Sequence, residues 1–274
     1  MLKGKSIFSS YRVEQLSDIY SPILGRLVVA DVFIPPNFHV SKKQYPFLVL
    51  NDGQDSDAIR LKSTLTRLTR NNEIVDVVVI AVHAGDRLQE YGVATQADYK
   101  ARGSRAALYT DFLMEELLPV VKAMYKVDLH HKNNSIAGFS LGGLSAFDIA
   151  WRHPEIFKKV GSFSGSFWWR TKSYSEGYED AYDRIVHSMV QKDIYRPGLQ
   201  FWFQTGTEDE PADRNNNGII DSIDDTLDLI VELTRKGYRP YHDIEYLEVN
   251  GGNHSQKTWA KALPHFFKWA FGKQ

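Results

Sequence analysis

Two hydrophobic rhythms alternate along this chain. Short, nearly unbroken apolar runs rich in Val, Ile and Phe occur at 47–53 (FLVLNDG), 74–83 (IVDVVVIAVH), 134–139 (NSIAGF), 159–165 (KVGSFSG), 199–206 (LQFWFQTG) and 243–249 (DIEYLEV). Their length and β-branched content predict buried strands. Between them run stretches with apolar residues three and four apart, which predicts helices at 57–72, 141–153, 222–237 and 257–271. A further helix shows Tyr109, Phe112, Leu113, Leu117, Val120 and Val121 on one broad face, and Pro119 should kink or break it. Gly237 supplies a natural stop for the helix before it.

Strands apolar on both faces, alternating with helices, predict an α/β fold: a mostly parallel central sheet covered by helices on both sides. The segment GRLVVADVFIPP at 25–36 alternates more strictly and should lie antiparallel near an edge, stopped by its prolines. With no internal repeat and no low-complexity linker, the 274 residues read as one domain, with function expected at the carboxyl ends of the strands.

Charge and composition narrow the functions. Thirty-three Lys and Arg against 34 Asp and Glu give no electrostatic case for nucleic acid or an anionic membrane. The lack of cysteine excludes thiolate metal sites, a cysteine nucleophile and disulfides. The opening segment MLKGKSIFSSYRVEQ carries no apolar run of signal-peptide length, and no stretch approaches the ~20 apolar residues of a membrane helix. The expectation is a soluble, cytoplasmic protein, with oligomeric state open.

The chemistry starts at Gly138-Phe139-Ser140-Leu141-Gly142, a G-x-S-x-G sequence between an expected strand and an expected helix. The glycines permit a sharp turn that would lift the Ser140 hydroxyl off the sheet, with the Leu141 N–H aimed at a developing oxyanion. The alternative is a glycine-rich turn that only lets helix and strand pack closely. A serine hydroxyl needs a base. Of nine histidines, His254 lies in a Gly-rich loop just after the last expected strand, whereas His130, His131, His153 and His265 read as surface or helix-end residues. The base needs a carboxylate, and Glu208, Asp209 and Glu210 all follow the strand at 199–206; spacing does not choose among them. A second oxyanion donor is expected from the NDGQD turn, at the N–H of Gln54.

These segments, with VFIPPNF, DRLQEY, FLMEELLPVV, IAGFSLGGLSAFDIAWRHPEIFKKVGSFSGSFWW, TGTEDE and GGNHSQKTW, resemble the putative esterases, the esterase-D-like branch of the α/β-hydrolases, from about Tyr20 to Trp269. That group includes enterochelin-type, feruloyl and acetyl-xylan esterases, S-formylglutathione hydrolases and mycolyltransferases. The resemblance implies Ser140 as nucleophile, His254 as base and, from its place after a G-T-x turn, Asp209 as acid. It implies an oxyanion hole from the backbone of Gln54 and Leu141, and a pocket near Phe167, Trp168 and Trp169, although core packing explains those aromatics equally well. Arg87, Glu90 and Tyr91 match a recurrent loop and are expected to line the site or brace it. The implied reaction is acyl transfer to water from a small-molecule ester, without an organic cofactor. An acyltransferase and a non-catalytic binding module are the alternatives.

One stretch stands apart. In DRNNNGIIDSIDD, Asp213, Asn215, Asn217, Ile219 (through its carbonyl), Asp221 and Asp224 fall at positions one, three, five, seven, nine and twelve of a calcium loop, with Gly218 at the sharp turn. Position twelve is Asp rather than Glu, and a strand rather than a helix enters the loop. The expectation is a structural Ca²⁺ that stiffens the neighbouring acid-bearing turn; the alternative is an Asn/Asp-rich helix cap.

Overall fold

A computed structural model describes residues 10–36, 38–39 and 41–273. Its centre is an eight-stranded sheet in the order β1-β2-β4-β3-β5-β6-β7-β8. The strands are β1 (Arg12–Ser21), β2 (Arg26–Ile34), β3 (Phe47–Asn51), β4 (Val78–Val82), β5 (Ser135–Phe139), β6 (Lys159–Phe163), β7 (Gln200–Glu208) and β8 (Ile244–Asn253). β1 pairs antiparallel with β2, and β2 antiparallel with β4; every other pairing is parallel. The expected antiparallel edge is therefore present, and β1 forms its outermost strand.

The alternation of side chains along the central strands builds two cores. Val49, Ile80, Val82 and Ile136 face one way, toward the helix Leu141–Arg152, Leu229 and Leu233 of Asp221–Lys236, and Phe112 and Leu117 of the segment 106–124. Leu48, Leu50, Val79, Ala81 and Phe139 face the other way, toward the helices Leu61–Arg70 and Gln256–Phe271. This is why β3, β4 and β5 are buried along their whole length and read as continuous apolar runs.

Several boundaries differ from expectation. β1, with its mixed polar pattern, carries no strong strand signal because much of it faces solvent. The β4 strand begins only at Val78, and the helix before it begins at Leu61, after a turn that places Arg60 in the left-handed region. Pro119 does not end its helix. A π-helical segment, Phe112–Leu117, precedes the α-helical Leu118–Met124, so the wider turn absorbs the missing proline N–H. Among the described residues no helix is long and apolar enough to cross a membrane.

Candidate active site

The sharp turn expected at Ser140 is present. Ser140 has φ 55° and ψ −119°, a strained conformation for a residue with a side chain. Its N–H donates to the Phe163 carbonyl at 2.9 Å, tying the turn to the end of β6. The glycines are needed for contact as much as for turning. A Cβ at position 138 would lie 2.3 Å from the Gly142 carbonyl oxygen, and one at 142 would lie 2.6 Å from the Asp52 carboxylate. The Ser140 hydroxyl is 3.2 Å from that of Ser166, a buried residue that sequence patterning does not single out.

Two amides face no protein acceptor. Among the described residues, the N–H groups of Leu141 and Gln54 make no hydrogen bond. The first opens the helix after Ser140 and the second follows β3, the strand beside β5. Free donors at these two carboxyl ends are what an oxyanion site requires.

The next two strands carry the other candidates. In the β7–β8 ladder Glu208 pairs with Asn253, so Asp209 and His254 each lie one residue beyond a paired position. Of the three acids, Asp209 is buried, Glu208 is exposed and Glu210 lies between. Asp209 Oδ2 accepts from the Gly206 N–H at 2.9 Å, while Oδ1 is buried without a partner. Burial raises the Asp209 pKa, against the Gly206 hydrogen bond, the Ser164 hydroxyl and the charge of His254, which lower it. His254 is exposed, and partial desolvation of its ring lowers its pKa; Asp209 opposes that shift and Arg87 adds to it. The imidazole makes no hydrogen bond among the described residues. It stands edge-on to Trp259 at 5.3 Å between centroids, and the Trp259 indole N–H donates to Ser164 at 3.0 Å. The mutual electrostatic influence of Asp209 and His254 and the orphaned Oδ1 are consistent with an acid awaiting an imidazole N–H.

Beneath the elbow lies a buried polar platform that patterning does not reveal. Asn51 donates to the Gly142 carbonyl at 2.8 Å and accepts from the Tyr109 hydroxyl at 2.8 Å. Tyr91 accepts from the Asp52 N–H at 3.0 Å, which helps to hold Asp52 at φ 62°. Arg87 clasps the Asp52 carboxylate at 2.8 and 3.1 Å and donates to the Phe139 carbonyl at 3.1 Å. Arg87, expected as a pocket residue, is thus committed to bracing the elbow. Glu90 is buried against Arg26, with bonds of 2.8 and 2.6 Å. Trp169, also expected in the pocket, is a core residue: it is fully buried and abuts Gly92 and Gly103. Phe167 packs in the same core, against Phe147 and Phe203. Trp168 alone of the three reaches the surface, flanked by the guanidinium groups of Arg102 and Arg170 at 5.0 and 6.0 Å.

The 213–224 loop folds around its own side chains. Asp213 accepts from the N–H groups of Asn217 and Gly218 at 3.2 and 2.9 Å, and Gly218 has φ 87°. Asp224 accepts from the side-chain amides of Asn215 and Asn217 at 3.1 and 2.7 Å. Four of the expected ligands therefore converge as an all-oxygen donor set would, once the amides turn their oxygens inward. Asp221 departs from the expectation. It is buried and engaged by Arg214, through the backbone N–H at 2.9 Å and the guanidinium at 3.1 Å. Among the described residues, no three His, Cys, Asp or Glu gather to hold a metal ion.

The architecture, with a Gly-flanked serine at a strained strand-to-helix turn, places the molecule among the α/β-hydrolases. The putative esterase family model matches residues 21–270, and the chain belongs to that family, whose class is carboxylic ester hydrolase. It is 22% identical over 247 residues to the uncharacterized protein YbbA of Bacillus subtilis, covering 88% of this chain and 92% of that one. It is 30% identical over 227 residues to the iron(III) enterobactin esterase of Escherichia coli O6:H1, covering 81% of this chain and 48% of that one, so it spans about half of that relative's length. Among solved structures, the enterobactin esterase of Shigella flexneri superimposes with a TM-score of 0.75 at 22% identity, over 94% of this chain and 58% of that one. A ferulic acid esterase superimposes with a TM-score of 0.72 at 19% identity, over 96% of this chain and 98% of that one. At these identities the structural likeness speaks for the fold alone.

Proposed function

We propose that this chain hydrolyses a carboxylic ester through an acyl-enzyme on Ser140. The observation that carries the reading is the strained Ser140 turn flanked by the two unpaired amides of Leu141 and Gln54. His254 takes the Ser140 proton as the oxygen attacks the ester carbonyl. The two amides hold the oxyanion, each contributing on the order of 3 kcal/mol at the transition state. The intermediate collapses, and the alcohol leaves with the proton from the imidazolium. Water then repeats the sequence and frees the acid. Asp209 orients the imidazole and balances its transient charge. A calcium ion held by Asp213, Asn215, Asn217 and Asp224 would stiffen the segment that follows Asp209. The substrate class suggested by the enterobactin and ferulic acid esterase relatives is an aryl-bearing ester.

The test is hydrolysis of p-nitrophenyl butyrate by wild type and Ser140→Ala, with a fluorophosphonate probe and peptide mass mapping to locate the nucleophile. Wild-type turnover, its loss in the variant and labelling at Ser140 are expected. Turnover retained by Ser140→Ala would refute the assignment. Product analysis with an added alcohol separates hydrolysis from acyl transfer.

A further inference from the structure

Arg170 stands out as a buried cation with no anion. It is only 9% exposed, and no carboxylate lies within ion-pair distance of it among the described residues. Of its five N–H groups, one is used, from Nη2 to the Tyr99 hydroxyl at 3.3 Å. Nε is buried without a partner, and Nη1 is neither hydrogen-bonded nor fully enclosed. Aromatic faces surround the guanidinium instead: Tyr174 at 4.0 Å, Tyr99 at 4.8 Å, Tyr178 at 5.8 Å and Trp168 at 6.0 Å. Cation–π contact offsets part of the desolvation cost of such a charge but leaves its donors unused. The neighbouring arginines are treated differently: Arg102 is paired with Asp98 and Arg184 with Asp225.

Its position connects it to the candidate nucleophile. Ser166, whose hydroxyl faces Ser140, is four residues upstream, and the Trp169 N–H folds back onto the Ser166 carbonyl at 3.2 Å. Four residues span at most roughly 14 Å, so the two Cα atoms are no farther apart than a mid-sized ester is long. The backbone of Arg170 is fixed by the Tyr99 N–H, at 3.0 Å to its carbonyl, and by a bridge to Arg184. Tyr174 and Tyr178 also line a cavity of about 630 Å³, together with Arg214, Asp180, Asp213 and Asp221.

We infer that Arg170 is a specificity residue that receives a carboxylate, or an equally acidic oxygen, carried by the ester substrate, with Trp168 and Tyr174 stacking on the group that bears it. The inference rests on the esterase reading and adds the charge of the substrate to it. A planar guanidinium with four unused N–H groups matches a carboxylate through two parallel bonds, which an ammonium cannot reproduce.

The experiment compares kcat/KM for p-nitrophenyl butyrate with that for its ω-carboxylate counterpart, mono-p-nitrophenyl glutarate, in wild type, Arg170→Met and Arg170→Lys. Wild type is expected to favour the anionic ester, with a preference that falls as NaCl is raised from 20 to 500 mM. In Arg170→Met the ratio should fall about tenfold or more, through KM, with Arg170→Lys in between. An unchanged ratio in Arg170→Met overturns the inference. If Arg170→Met does not fold, the wild-type measurement decides: no preference for the anionic ester overturns it equally. Failure of wild type to cleave either ester would instead refute the esterase reading itself.

Discussion

Arg87 and Asp52 form a two-pronged ion pair, at 2.8 and 3.1 Å, directly under the Ser140 turn. The pair joins three parts of the site. Asp52 precedes the turn bearing the free Gln54 amide, Arg87 also holds the carbonyl of Phe139, and the Asp52 carboxylate fills the space that a side chain at Gly142 would need. Removing the arginine leaves a buried carboxylate with Gln54 as its remaining side-chain donor, at 3.1 Å. Arg87→Met should therefore lower stability by about 2 kcal/mol, below the full cost of a buried pair because Arg87 is partly exposed. Urea unfolding measures this. The same change removes a positive charge that holds the His254 pKa down. The base must be neutral to act, so the acidic limb of kcat/KM should move to higher pH in Arg87→Met. An unmoved limb would show that Arg87 braces the turn without tuning the base.

Asp209 is distinguished from its acidic neighbours by burial and by its unpartnered Oδ1. Replacing it with Asn keeps the shape but removes the charge that balances an imidazolium. Asp209→Asn should lower kcat by about 10³–10⁴-fold, as in comparable triads, while Glu208→Gln and Glu210→Gln stay within about threefold of wild type. Steady-state kinetics of the three variants decide the matter. A large loss in Glu210→Gln with Asp209→Asn active would move the acid role to Glu210.

The sheet and its two helical layers were legible because burial on both faces leaves long apolar runs, and the serine turn because its glycines fall between a strand pattern and a helix pattern. Legibility ended where partners are remote in the chain. Arg87 and Asp52 are 35 residues apart on two loops, so neither their pairing nor the commitment of Arg87 to the elbow could be read from spacing. Trp168 and Trp169 are adjacent and chemically alike, yet one reaches the surface and the other is fully enclosed. That difference is set by Gly92 and Gly103, which make room for Trp169 from a distant segment. Burial separates Asp209 from Glu208 and Glu210, just past a register shift late in the β7–β8 ladder, and no local pattern records that difference.

Away from the site, His187 is a buried imidazole whose Nε2 meets the Asp225 carbonyl at 2.8 Å while Nδ1 has no partner. Burial, with the nearby charges of Arg184 and Arg214, pushes its pKa down to about 3. An unfolded histidine titrates near 6.5, so between those values the unfolded chain binds a proton that the folded chain does not. Stability must therefore fall as pH falls through that window, by about 2–3 kcal/mol between pH 7 and 4.5 from this residue alone. His187→Gln can still donate to the Asp225 carbonyl but does not titrate. Its urea-derived stability should fall less steeply over the same range, and a slope equal to that of wild type would remove His187 as a source of acid sensitivity.

The 213–224 loop gives the last prediction. Asp213 accepts from the backbone N–H groups of Asn217 and Gly218, and Asp224 from the side-chain amides of Asn215 and Asn217, whereas Asp221 is neutralised by Arg214. A calcium ion would thus find two carboxylates and two amide oxygens rather than the full set, which implies weak binding. At a concentration ten times the dissociation constant, an ion that binds only the folded chain adds about 1.4 kcal/mol. For a protein of this size that amounts to roughly 2–4 °C in Tm. One millimolar CaCl₂ should therefore raise the calorimetric Tm by that amount over an EGTA control, and the double variant Asp213→Asn with Asp224→Asn should lose the difference. Activity at 25 °C should be nearly the same with and without calcium, because Arg214 already fastens this loop to Asp180 and Asp225, at 2.8 and 2.7 Å. An unchanged Tm would mean that the arginine alone braces the loop, and that its calcium-like spacing serves the turn and the helix after it.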